Sequence, residues 1–184
     1  ILSSRLPLVP FFSDYEFSKD EKKILITTEK DEIYRRSTKG IFWVYNTLDG
    51  SIQMVFNKKI QEPTFSPDGN KIAFVYKRDL YVKDLNNNSL FQITKDGNNE
   101  IINGLTDWVY EEEFGFVKAF LWSPDSSKLV FMRFDESKVP FFSMDIYGNG
   151  LYQFPYKFRY PKAGESNSKV SLRLYNLKSK SISN

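Results

Sequence analysis

Short apolar runs separated by turn residues follow one another along the chain, and one unit of this pattern recurs three times. Each copy reads as an aromatic residue, a serine, turn residues with an aspartate at a fixed place, a lysine and an apolar run; the copies are residues 17–24, 65–72 and 122–129. Turn residues of this kind close tight β-hairpins. Units that repeat about every 50 residues and consist of short strands are typical of β-propeller blades.

A second hairpin follows the first in every copy, which predicts four strands for each unit. The predicted strand pairs are residues 41–46 with 51–56, 80–85 with 90–94, and 141–146 with 151–154. After residue 161, two further strand-like runs at 170–174 and 179–182 predict the start of another unit. We therefore predict an all-β fold, a partial β-propeller of four-stranded antiparallel blades with about three blades and part of a fourth. A β-sandwich is the alternative, but sandwiches do not normally repeat one turn motif at one place in each unit.

The predicted ring is incomplete, because closed propellers have from about four to eight blades. We expect residues 1–184 to be a fragment of a larger propeller domain. Its uncovered sheet face and unpaired edge would favour association with further sequence.

Composition limits the chemistry that the chain can perform by itself. The 184 residues contain no cysteine and no histidine, which excludes a disulfide framework, a thiolate nucleophile and the imidazole base of a Ser-His-Asp arrangement. Any hydrolytic machinery must lie elsewhere. The net charge of +3 is small and the 26 lysines and arginines are scattered, so we expect no nucleic-acid partner.

One acidic insertion, near residues 96–117, does not fit the repeat and carries six acidic residues with no lysine or arginine. Its centre places three consecutive glutamates, Glu111, Glu112 and Glu113, after Trp108 and Tyr110. The aromatic neighbours favour anchoring of the segment against the body of the protein.

The ordinary outcome for such a charge run is a solvated acidic turn of a helix. Three adjacent like charges without a neutralising neighbour instead indicate a missing cation. The alternating oxygen ligands of a calcium loop are absent, and adjacent helical carboxylates diverge too far to flank a glycosidic bond. An organic ammonium, whose three donors can be shared between two carboxylates, fits better. We expect neither a metal nor a cofactor.

A second polar feature is the pair Arg35 and Arg36, at the end of the strand that follows the first repeated turn. Two exposed cations are the usual outcome for consecutive arginines. In an extended chain their side chains point to opposite faces, so one of them can be directed inwards. The residue pattern leaves both options open.

At these residues the chain resembles the dipeptidyl peptidase IV family of serine exopeptidases, in the prolyl oligopeptidase clan. Residues 103–113 are similar to the double-glutamate motif of the family, residues 160–164 to another of its propeller landmarks, and residues 34–37 lie where the family carries a substrate-binding arginine. The resemblance covers nearly the whole chain. It implies an amino-terminal propeller that caps an α/β-hydrolase domain, and that catalytic domain is absent from residues 1–184.

Carried over residue by residue, the resemblance implies that Glu112 and Glu113 bind the free α-ammonium group of a peptide substrate. Arg35 would contact the carbonyl group of the second residue from the scissile bond. Arg36 stands where some members have histidine, so its role stays open. The implied function is substrate gating and amino-terminus binding in a serine peptidase that releases dipeptides, whereas residues 1–184 alone would be inactive.

The implied partners are peptides with a free amino terminus and the α/β-hydrolase domain of the same polypeptide, and a homodimer of the full-length protein is a further option. Residues 114–116 look like those of bacterial members, which implies a periplasmic or cell-envelope location. The main alternative is a non-enzymatic binding or scaffold propeller that resembles periplasmic Ser-Pro-Asp-Gly repeat proteins, but this does not explain the acidic insertion. Another peptidase of the same clan should lack the double-glutamate motif.

Overall fold

A computed structural model describes residues 11–184, which form short antiparallel strands and one helix. The elements are β1 (Asp14–Phe17), β2 (Lys23–Glu32), β3 (Thr38–Asn46), β4 (Ile52–Met54), β5 (Gln61–Phe65), β6 (Lys71–Tyr76), β7 (Asp79–Asp84), β8 (Leu90–Gln92), β9 (Ile101–Asn103), α1 (Trp108–Phe114), β10 (Phe120–Trp122), β11 (Lys128–Asp135), β12 (Phe141–Ile146), β13 (Phe154–Arg159), β14 (Lys169–Asn176) and β15 (Ser181–Ser183). Sheet 1 has the order β1-β2-β3-β4 and sheet 2 the order β5-β6-β7-β8. Sheet 3 has the order β10-β11-β14-β15, with β9 paired to β11. The three sheets of the described residues do not close into a ring.

The repeated sequence unit forms the first two strands of every sheet in the same register. In each case the aromatic residue lies opposite the first apolar residue of the next strand; the pairs are Phe17 with Ile24, Phe65 with Ile72, and Trp122 with Leu129. The predicted equivalence of the three units is therefore confirmed. The prediction of an all-β partial propeller of four-stranded antiparallel blades is confirmed with it.

One hydrogen-bond network explains why serine and aspartate recur in these turns. In sheet 2, the Ser66 hydroxyl donates to Asp68 Oδ1 at 2.5 Å and accepts from the backbone N–H of Lys71 at 2.9 Å. The same two bonds join Ser18, Asp20 and Lys23 in sheet 1, and Ser123, Asp125 and Lys128 in sheet 3. The turn is thus specified by side chains that satisfy the backbone locally.

The hydrophobic core lies between successive sheets. Strand β6 is buried on both faces, because Ile72 and Phe74 pack in the cluster shared with sheet 1 whereas Ala73 and Val75 pack in the cluster shared with sheet 3. Alternate residues of a strand point to opposite faces. The continuous apolar run of β6 is therefore that of a strand sandwiched between two sheets.

The third unit differs from the prediction in the strands that complete it. Strands β12 and β13 pair only with each other, as a separate two-stranded hairpin between β11 and β14. Strand β11 pairs instead with β14, with Lys128 opposite Asn176, and β15 forms the outer edge. The assignment of 141–154 to the third blade was therefore wrong, and the strands predicted to begin a fourth blade complete the third.

The acidic insertion forms β9, which extends the pairing of β11, and then α1. Strand β9 is buried throughout, and Ile102 pairs with Phe134 of β11. The insertion thus sets the start of α1 against sheet 3. None of the helical structure in residues 11–184 has the length and hydropathy of a bilayer-spanning helix.

Candidate functional site

Helix α1 carries the three glutamates and has only seven residues, which is too short to be stable by itself. The Asp107 side chain caps its start by accepting a hydrogen bond from the backbone N–H of Tyr110 at 2.9 Å. Gly115 ends the helix with a φ of 75°, in the left-handed region that favours glycine. Tyr110 also packs edge-on against the buried ring of Phe134, with centroids 4.9 Å apart. Caps and packing against sheet 3 therefore fix the helix.

The three glutamates point in different directions, because consecutive residues of an α-helix are about 100° apart. Glu111 is buried, with 3% of its surface exposed. The side chain of Glu112 is 13% exposed, and Glu113 lies in solvent. The three glutamates, which look uniform in sequence, therefore lie in three different environments.

Glu111 joins the helix to the loop between β2 and β3. Its Oε1 atom accepts hydrogen bonds from the backbone N–H groups of Arg36, at 2.9 Å, and Ser37, at 2.8 Å. A buried carboxylate is tolerated only with such partners. The two bonds fix the residues that directly follow Arg35.

Arg35 forms an ion pair with Glu112, with 3.1 Å between Nε and Oε2. The Arg35 side chain is 74% exposed. Because the contact uses Nε, the other two guanidinium nitrogens can donate to a second acceptor. The side chain of Glu113 has no hydrogen bond or ion pair to any residue of the described chain. The structure thus brings Arg35 beside Glu112, with the open carboxylate of Glu113 in the next helical position.

Arg36 lies at the C-terminal end of α1. A Cβ atom at position 115 would be 3.8 Å from Arg36 Nη2, so the guanidinium lies over Gly115. A cation at the C-terminal end of a helix interacts favourably with its dipole. The side chain whose role the sequence left open therefore contacts the helix end.

Two cavities, of about 130 and 300 Å³, lie behind the helix. The smaller is lined by Glu111 and Ser37, the larger by Trp108, and both by Tyr34 and Arg78. The Ser37 hydroxyl is buried without a hydrogen-bond partner among the described residues. Burial is the main cause that raises the pKa of Tyr34, and a hydrogen bond to another tyrosine adds to it.

Glu112 and Glu113 line neither of these two cavities. They leave the helix away from the side that Glu111 occupies. Nor do the side chains of residues 11–184 form a group of three or more acidic residues placed to hold a metal ion. The arrangement offers one arginine-bound carboxylate and one open carboxylate, which suits an ammonium group with several donors.

Comparison with known proteins identifies the family. Residues 18–184 match the family model described as the dipeptidyl peptidase IV (DPP IV) N-terminal region. The chain belongs to the dipeptidyl peptidase IV family. The family resemblance drawn from the sequence is therefore confirmed.

Relatives in the dipeptidyl peptidase IV family are similar to this chain over most of its length. The crystal structure of dipeptidyl peptidase 4 from Porphyromonas gingivalis matches with a TM-score of 0.93 and 39% identity, over 98% of this chain and 26% of that one. Dipeptidyl peptidase 4 from Felis catus is 37% identical over 168 residues, which cover 87% of this chain and 22% of the relative. Prolyl endopeptidase FAP from Mus musculus is 35% identical over 162 residues, with 86% and 21% covered. The chain thus spans roughly a fifth to a quarter of the length of these proteins.

Sequence reasoning carried only Glu112 and Glu113 of the dipeptidyl peptidase IV motif into the site and missed the part that Glu111 has in the loop. The chain carries only a partial signal for it. Glu111 and Glu112 stand three and four residues after Trp108, so both can share its face of a helix. A tryptophan that anchors the helix marks that face as inward but does not separate Glu111 from Glu112.

Proposed function

We propose that this chain is the substrate-gating, amino-terminus-binding propeller part of a dipeptidyl peptidase IV-like serine peptidase that releases dipeptides from peptide amino termini. The observation that carries the proposal is the ion pair between Arg35 Nε and Glu112 Oε2 at 3.1 Å. It joins two segments far apart in sequence. An open glutamate, Glu113, follows directly on the same helix.

An α-ammonium group has three N–H donors, and a pair of carboxylates provides matching acceptors. In the proposal, Glu112 and Glu113 accept from the ammonium, while the remaining donors of Arg35 bind the carbonyl of the second residue. Arg35 also holds Glu112 in place before substrate arrives. A preformed site of this kind binds without the cost of ordering its side chains.

The site then determines how far the cleaved bond lies from the amino terminus of the substrate. A peptide whose amino terminus is held at Glu112 and Glu113 presents a bond at a fixed distance to a nucleophile in another domain. Positioning of this sort accelerates the reaction by orientation rather than by bond-making chemistry. Residues 1–184 contain no histidine, so the catalytic triad in this proposal belongs to an α/β-hydrolase domain of the same polypeptide.

The test uses the full-length protein and compares a dipeptide-releasing substrate with its amino-acetylated twin. Glu112→Ala and Glu113→Ala should each lower kcat/KM for the free-amine substrate by about 1.5 to 3.5 decades, because a bound, desolvated ammonium that loses one of its carboxylates costs roughly 2–5 kcal/mol. Glu29→Ala, at an exposed glutamate whose side chain has no hydrogen bond or ion pair among the described residues, is the matched control. Equal turnover of the two substrates by the wild-type enzyme would refute the proposal.

The pH dependence gives a second test of ammonium recognition. A peptide amino terminus has a pKa of about 7.7–8.0 and must be protonated to be bound by carboxylates. The KM of the wild-type enzyme should therefore rise as the pH increases above this range. A KM that stays constant up to about pH 9 would contradict recognition of an ammonium.

We further propose that the full-length protein is a homodimer. Support comes from the turn of the β12–β13 hairpin, where Tyr147, Leu151 and Tyr152 are 79, 98 and 85% exposed. Exposed apolar clusters of this kind commonly mark association surfaces. Sedimentation of the full-length protein and of its Leu151→Asp variant tests this. A monomeric wild-type protein would exclude the dimer.

A further inference from the structure

An aromatic cluster at the base of the β12–β13 hairpin contacts both halves of the candidate site. At its centre, the ring of Phe158 lies 6.4 Å from that of Tyr34 and 5.9 Å from that of Trp108, measured between centroids. Phe158 also packs edge-on against Phe142 of the neighbouring strand at 5.8 Å. Phe158 is half-buried in this cluster.

The two outer partners of Phe158 come from the two segments that supply the site. Tyr34 directly precedes Arg35, and Trp108 is the first residue of the helix that carries Glu112. Phe158 therefore contacts both the loop of the arginine and the helix of the glutamate, and the larger cavity opens beside all three rings.

Polar contacts near Phe158 connect the hairpin to the body of the protein. Arg159 donates from Nη1 to the backbone oxygen of Val139 at 2.6 Å, and its Nη2 atom lies 3.2 Å from Glu100 Oε1. Beyond the hairpin, the Ser168 hydroxyl donates to the helix cap Asp107 at 2.5 Å. These contacts connect the hairpin base to the residue before β9 and to the cap of α1.

The Phe158 contacts complement the hydrogen bonds of Glu111. Glu111 holds the backbone of Arg36 and Ser37, the residues after Arg35, and Phe158 holds the residue before it. With both neighbours fixed, the backbone of Arg35 is held close to Glu112. Removing either support frees one end of the loop.

We propose that Phe158 is a positioning residue for the amino-terminus site, which sets the separation of Arg35 and Glu112 through Tyr34 and Trp108. This inference rests on the proposed function. A void in place of the ring lets Tyr34 and Trp108 move together, and displacements of about 1 Å at a positioning group reduce rates by up to about two decades.

The test measures KM of the full-length enzyme for a free-amine dipeptide-releasing substrate, and the inhibition constant of a free-amine dipeptide. Both constants are independent of the fraction of enzyme that is folded, so a merely structural effect lowers the maximal rate and leaves them unchanged. We expect Phe158→Ala to raise both constants about tenfold or more. Phe154→Ala removes an exposed ring of the same strand and should leave both constants as they are.

The outcomes separate this inference from the proposed function. If Phe158→Ala does not fold, the test uses Phe158→Leu, which keeps apolar volume without the ring. A raised KM and a raised inhibition constant in that variant support the inference. Unchanged constants in a folded Phe158 variant overturn it. Failure of the proposed function shows in the wild-type enzyme itself, as equal turnover of the free-amine substrate and its acetylated twin.

Discussion

Replacing Glu111 by alanine tests whether the first glutamate of the run anchors the arginine loop. The change removes the acceptor of two backbone hydrogen bonds, from Arg36 at 2.9 Å and Ser37 at 2.8 Å. It leaves Arg35, Glu112 and Glu113 intact. Any effect on the loop therefore comes from the lost anchor and not from the ion pair.

The magnitude follows from the burial of the two bonds. A hydrogen bond to a charged group contributes about 1.5–3 kcal/mol. The bond from Ser37 is buried and the bond from Arg36 is partly buried, so water replaces only part of the loss. We expect the free energy of local loop opening to fall by about 2–4 kcal/mol, which raises the open population about 30- to 700-fold.

Trypsin is a suitable probe, because Arg35 and Arg36 are its cleavage sites and both lie in this loop. When opening and closing are fast relative to cleavage, the cleavage rate follows the open population. Glu111→Ala should therefore accelerate cleavage after these arginines about 30- to 700-fold, and Glu111→Gln, which keeps an acceptor but no charge, should fall between it and wild type.

The control is Glu32→Ala, which removes an exposed glutamate at the end of β2, directly before the same loop, and should leave the cleavage rate unchanged. Cleavage after Arg35 and Arg36 in Glu111→Ala at a rate within about twofold of wild type would refute the anchoring argument. The assay needs no peptidase activity, so its result is independent of the proposed function.

Two further predictions concern the repeated turns and are checked by thermal unfolding of the full-length protein. Gly69 has a φ of 67° and the equivalent Glu21 a φ of 59°. Gly69→Ala should therefore lower the free energy of unfolding by about 1 kcal/mol, whereas Glu21→Gly should not destabilise the protein. Destabilisation of similar size by both changes would contradict this. Hydrogen bonds from the Ser123 and Ser127 hydroxyls lower the pKa of Asp125 to about 2. Its stabilising contribution is therefore complete above about pH 4 and lost as the pH falls through about 2. Between about pH 4 and 2 the unfolding midpoint should fall more steeply in wild type than in Asp125→Asn, and parallel curves would count against it.

Local sequence rules predicted the hairpins of this fold but not all of their pairings. The turns that follow Phe17, Phe65 and Trp122 close on hydrogen bonds within a few residues, so the residues that specify them are visible in a short window. The third blade depends on the pairing of Lys128 with Asn176, which no turn determines. A hairpin inserted between two paired strands has the same local signals as the outer hairpin of a blade. Only the competition between distant partners for the edge of β11 decides which it is.

The candidate site shows the same division between local and distant information. The sequence indicated that an acidic run bracketed by aromatics needs a cation, and its likeness to a known family singled out Arg35. What it could not provide is the direction of each glutamate, because that depends on where the helix begins and which face packs. Trp108 packs against Phe158 and Tyr160, about 50 positions further along the chain, at the base of a hairpin that the repeat pattern had assigned to a blade. The error in the third blade and the missed support of the site therefore have one cause: the hairpin that leaves the sheet is the element that packs behind the helix.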